Sequence, residues 1–104
     1  MELLAREARR RREVFEHLEE YLEKLVETIR SLDSGAEVYL FGSVAEGKYT
    51  YSSDIDVLVV TDKRPEEVIS MLWSRGIEDP FEIHVVTKDM LENYKRRTKL
   101  VKIA

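Results

Sequence analysis

Phe41-Gly42-Ser43-Val44-Ala45-Glu46-Gly47-Lys48-Tyr49-Thr50-Tyr51-Ser52-Ser53-Asp54-Ile55-Asp56-Val57-Leu58-Val59-Val60 contains both the strongest strand of the chain and its densest chemistry. Ile55–Val60 is β-branched and continuously apolar after Asp56, as in a strand buried on both faces. Side chains alternate across a strand, so Asp54 and Asp56 point to one face and Ile55 to the other. Two carboxylates that close repel one another when ionised. Protonation, a basic partner or a bound cation relieves the repulsion. The neighbouring sequence offers no lysine or arginine and is acidic, so a divalent cation such as Mg²⁺ is the natural partner.

Upstream, Glu37–Phe41 reads as a short strand, and Gly42-Ser43 breaks it. Glycine lets a backbone approach a ligand closely, and the N–H groups of a starting helix attract phosphate. The ten residues after Ser43 allow one or two helical turns and an exposed loop. They are too few for a parallel crossover, so the sheet is expected to be mixed. Downstream, Pro65 opens a helix with Val68, Ile69, Leu72 and Trp73 on its apolar side, and Gly76 ends it. Trp73 is expected in the core. Phe81–Val86 is a third strand, and Thr87 can cap a helix over residues 88–97. Glu82 and His84 share a face of the third strand, where Glu82 can join the two aspartates if the strands are neighbours. Three carboxylates can hold two metal ions. His84 is expected to be structural rather than a ligand. Tyr49 and Tyr51 can either stack on a base or pack the loop.

The first third reads as one long amphipathic helix. Phe15, Leu18, Leu22, Leu25, Ile29 and Leu32 fall three and four apart, widened by Val14 and Val26. Ser34-Gly35 stops it, with Gly35 suited to a left-handed cap. Arg9–Arg12 is expected to be a solvated face, with contact to a partner as the alternative. His17 lies exposed among glutamates. The elements make an α/β (α+β) layer of about three strands flanked by helices, in a single domain spanning residues 1–104.

The chain has 104 residues, of which 37% are charged, and a net charge of −4. Residues 34–87 carry ten acidic and four basic side chains; residues 88–104 carry six basic and two acidic. The acidic middle argues against a general nucleic-acid grip. Lys95, Arg96, Arg97, Lys99 and Lys102 read as a solvated basic tail or a partner contact. Absent cysteine excludes disulfides and thiolate chemistry. No apolar run is long enough for a transmembrane helix and the charged N-terminus is unlike a signal peptide, so a cytoplasmic protein is expected. High charge, no glutamine and a single asparagine, Asn93, point to a thermophilic source.

Gly42-Ser43, ten residues, then Asp54-Ile55-Asp56 resembles the signature of the DNA polymerase β-type nucleotidyltransferases, in their minimal single-domain branch. The resemblance implies that fold over essentially the whole chain. It implies that Gly42 and Ser43 hold the β and γ phosphates of a nucleoside triphosphate, with ATP expected. Asp54, Asp56 and Glu82 would bind two Mg²⁺ ions and carry catalysis. A hydroxyl acceptor would receive a nucleoside monophosphate and pyrophosphate would leave. Many relatives carry arginine where this chain has Glu46, and Lys48 is the nearby replacement for that phosphate contact. Minimal members commonly accompany a helical HEPN-type protein as its antitoxin, which makes such a protein the expected partner. A catalytically weak or inactive nucleotide- or partner-binding module is the alternative.

Overall fold

The structure, a computed structural model, describes residues 2–104. Helices α1 (Glu2–Glu16) and α2 (Leu18–Leu32) lead into strand β1 (Glu37–Phe41), the short helix α3 (Gly42–Ala45) and strand β2 (Ile55–Val60). Helix α4 (Pro65–Ser74), strand β3 (Phe81–Val86), helix α5 (Lys88–Arg97) and strand β4 (Val101–Lys102) complete the chain. The sheet order is β3-β2-β1-β4. It is mixed, as the short β1–β2 connection requires: β1 runs antiparallel to β2, whereas β2 and β3 are parallel across α4.

Strand β2 is the spine of the molecule. Ile55, Val57, Leu58 and Val59 are fully buried, which explains its continuous apolar run. Ile55, Val57 and Val59 face one core, closed by Val14, Phe15, Leu25 and Ile29 of the first two helices and by Val68 and Leu72 of α4. Leu58 and Val60 face a smaller core with Tyr39 and Leu91. Asp56, Glu82 and His84 share the parity of that second face and lie towards the end of the sheet where β2 begins.

Three expectations need correction, and one element is added to the sheet. The long first helix is two helices, broken at His17, whose backbone leaves the helical region (φ −122°, ψ 33°). A straight helix over residues 2–32 would run roughly 46 Å, against strands of about 20 Å. The break lets Phe15 of α1 and Leu25 of α2 enter the same core. Gly35 is not left-handed; Asp33 ends α2 in extended conformation (φ −149°, ψ 103°) and accepts the Gly35 N–H at 3.0 Å. Trp73 is exposed, because α4 turns Val68 and Leu72 inward and Trp73 lies about 100° further round the helix. The basic tail supplies a fourth strand: Val101 and Lys102 pair with Leu40 and Tyr39. Among the described residues, no helix is long and apolar enough to cross a membrane.

Candidate active site

The site grows from the register of three strands. Phe41 pairs with Asp56, and Asp56 with Glu82. The first residue after β1 therefore meets the start of β2, and β3 adds its own carboxylate beside it. Gly42 has φ +74°, a left-handed conformation that disfavours any side chain. A Cβ there would collide with Asp56 Oδ2 and sit 3.3 Å from Asp56 Cγ. The bare backbone of Gly42 and the Asp56 carboxylate thus form one surface. Beyond it the chain makes a compact turn: the Lys48 N–H donates to the Ser43 carbonyl at 2.9 Å, and the Glu46 N–H to the Gly42 carbonyl at 3.2 Å. Lys48 and Glu46 are exposed on this turn, with Ser43 half-buried at its start.

Oxygens of Asp56 and Glu82 and a ring nitrogen of His84 all lie within 4.8 Å of one another. His84 Nε2 is 3.7 Å from Asp56 Oδ1 and 3.8 Å from Glu82 Oε1. That nitrogen is buried and has no hydrogen-bond partner among the described residues. The ring is held edge-on against Phe41, at 5.1 Å, and Tyr94, at 6.4 Å. Burial is the main influence raising the Asp56 carboxyl above the usual range; His84 pulls it back and the Asp54 charge pushes it up. An orphaned imidazole nitrogen facing two carboxylates is a donor set that fits a divalent cation.

Asp54 falls outside that group, half exposed, with Oδ1 3.5 Å from Arg11 Nη2. Arg11 is the basic partner that the local sequence lacks. It reaches the site from α1, donating to the Ser53 carbonyl at 2.9 Å and the Tyr51 carbonyl at 3.4 Å. The arginine run is therefore not uniformly solvated. Helical spacing carries a signal for this, since Arg11 precedes the buried Val14 and Phe15 by three and four residues. Tyr49 and Tyr51 pack the loop: both rings lie against Phe15, with centroids at 5.2 and 5.9 Å, and Arg12 sits 5.9 Å over Tyr51.

The sequence model of the nucleotidyltransferase domain matches residues 22–104. The chain belongs to this family. The nucleotidyltransferase resembles two crystal structures of proteins provisionally named nucleotidyltransferases. One is 32% identical, with a TM-score of 0.66, over 80% of this chain and 97% of that one. The other, from Sulfolobus solfataricus, is 30% identical, with a TM-score of 0.57, over 80% of this chain and 76% of that one. Among proteins with curated functions, none matches. The nucleotidyltransferase domain begins within α2, so α1 and Arg11 lie outside the matched residues.

Proposed function

We propose that the protein transfers a nucleoside monophosphate from a nucleoside triphosphate, with ATP the expected donor, to a hydroxyl acceptor. The observation that carries this reading is the junction of Gly42 with Asp56, in a family member whose Glu82 and His84 converge on the same carboxylate. In this reading, the Gly42 backbone and the Ser43 hydroxyl receive the β and γ phosphates, and Lys48 neutralises part of their charge. Asp56, Glu82 and Asp54 hold Mg²⁺, with His84 Nε2 completing the donor set and Asp54 turning in from Arg11. Bound there, Mg²⁺ would neutralise phosphate charge and favour in-line displacement. The acceptor oxygen bonds to the α-phosphorus and the bond to the bridging oxygen breaks. Pyrophosphate leaves, and the hydroxyl proton passes to Glu82, the exposed carboxylate at the mouth of the group.

A second reading, a nucleotide-binding module with little turnover, is favoured by the position of Asp54 outside the group and by Glu46 on the phosphate-facing turn. We further propose a helical, HEPN-type partner in an antitoxin-like relationship. The apolar groove of Leu22, Val26 and Ile103, rimmed by Glu19, Glu23 and Glu27, supports a helix with an apolar face and basic edges. A cytoplasmic setting supplies Mg²⁺ and nucleotide, and the charge-rich composition supports a thermophilic source. The acidic middle keeps nucleic acid from being the favoured partner.

The test is Mg²⁺-dependent label transfer and pyrophosphate release with each α-labelled nucleoside triphosphate, using the protein alone and with the product of its neighbouring gene. Asp56→Asn is expected to lower transfer at least about a hundredfold. Nucleotide binding without transfer in either setting would favour the binding module.

A further inference from the structure

We propose that α1 is a clasp on the cation site: Arg11 holds Asp54 outside the Asp56–Glu82–His84 group, and a divalent cation enters by taking Asp54 from Arg11. This rests on the metal-site reading above.

The arginine is built into its place. Arg11 is one-fifth exposed, against two-fifths for Arg10 beside it. Nη1 donates to the Ser53 and Tyr51 carbonyls, while Nη2 lies 3.5 Å from Asp54 Oδ1 and 3.5 Å from Asp79 Oδ1. The planar guanidinium makes these contacts together because its donors point in fixed directions. The two carbonyls and Asp79 remain as partners when Asp54 turns away, so the exchange does not strand the positive charge. Asp54, by contrast, has no described hydrogen bond that holds it towards the group. Its single described ion pair is the one with Arg11. Holding Asp54 outside the group lowers cation affinity at a site where the carboxylates alone would attract the ion. The clasp is carried by α1, which lies outside the residues that the family matches.

The experiment measures Mn²⁺ binding to the full chain, without nucleotide, by electron paramagnetic resonance of the free ion. Wild type is compared with Arg11→Gln, Arg11→Lys, Arg12→Gln, Asp54→Asn and the Arg11→Gln/Asp54→Asn double variant. The Arg11–Asp54 pair is partly exposed, so Arg11→Gln is expected to tighten Mn²⁺ binding roughly two- to fivefold. Arg12→Gln removes the same charge one residue away, above Tyr51, and leaves affinity unchanged. In the Asp54→Asn background, Arg11→Gln has no effect. Arg11→Lys, a point charge without the fork, tightens binding less than glutamine does, and decides the matter if circular dichroism shows the glutamine variant unfolded. Weaker or unchanged binding in the Arg11 variants overturns the clasp, as does tightening that persists without Asp54 or appears equally in Arg12→Gln. A folded wild type that binds no Mn²⁺ overturns the metal-site reading and the clasp together; a wild type that binds, with silent Arg11 variants, overturns the clasp alone.

Discussion

Gly42 is the residue where backbone conformation and chemistry coincide. Its φ of +74° disfavours a side chain, and the space a Cβ would need is held by Asp56. Gly42→Ala therefore strains the backbone and displaces a site carboxylate at once. It is expected to lower stability by about 1–3 kcal/mol, measured by urea unfolding, and to lower transfer more than that loss of folded protein explains. Unchanged transfer would mean that the Asp56 carboxylate need not stay in contact with this turn. A different residue pair gives the fold a pH signature. The Tyr39 hydroxyl donates to Glu37 Oε1 at 2.6 Å. This bond, with burial, pushes the Tyr39 hydroxyl up to about 12; the same bond holds Glu37 below the usual carboxylate range, against the opposing effect of burial. The bond needs Glu37 ionised and Tyr39 protonated. Its stabilisation is lost as pH falls through the lowered Glu37 value, and lost again as pH rises from about 10 towards about 12. Tyr39→Phe is expected to cost about 1 kcal/mol near neutral pH. It should also flatten the alkaline fall in urea midpoints, an outcome that a purely apolar role for the ring would not produce.

At the scale of elements, α1 is the least self-sufficient piece. Most of its surface is solvated, and Val14 and Phe15 are its buried anchors. Phe15 also carries the rings of Tyr49 and Tyr51. Phe15→Ala is expected to cost about 3 kcal/mol. It should also raise amide exchange in residues 49–53 and in α1 while leaving β2 protected. Uniform loss of protection would instead make α1 part of the global unfolding unit. The same elements mark where sequence was readable. β2, β3, α4 and α5 are legible through period and end signals, and the glycine–serine and aspartate spacing singles out Gly42 and Asp56, which the fold brings into contact. The break at His17 carries no proline or glycine; it arises because a long helix outruns a short sheet. β4 is two residues in a basic tail, too short to display alternation, and exists because β1 offers an open edge. The exposure of Trp73 is not legible in the sequence, because apolar character alone does not fix which residues of a helix face inward. The place of Arg11 at the site is hidden in the sequence because its partners lie 40 to 68 residues away, although its spacing from Val14 and Phe15 puts it on the buried side of α1.

The whole molecule distributes these parts unevenly. Two cores clamp the sheet, the site sits at the end where β2 begins, and α2 presents an apolar groove lined by Leu22, Val26 and Ile103 between Glu19, Glu23 and Glu27. Val26 and Leu22 lie on the edge of the larger core rather than at its centre. A polar substitution there alters the groove more than the fold. If the helical partner seats in this groove, Val26→Asp opposes it twice, by removing apolar area and by deepening the acidic field. Binding to the neighbouring gene's product, followed by titration calorimetry, is expected to weaken about thirtyfold, the range of a central interface residue. Thermal unfolding of the isolated protein should change by only a few degrees. Trp73→Ala, on exposed α4, is the matched control and is expected to leave binding intact. Loss of binding with Trp73→Ala and retention with Val26→Asp would move the interface from α2 to α4. The acidic groove would then remain a solvated face of the helix, and charge complementarity would no longer identify the partner's basic edges.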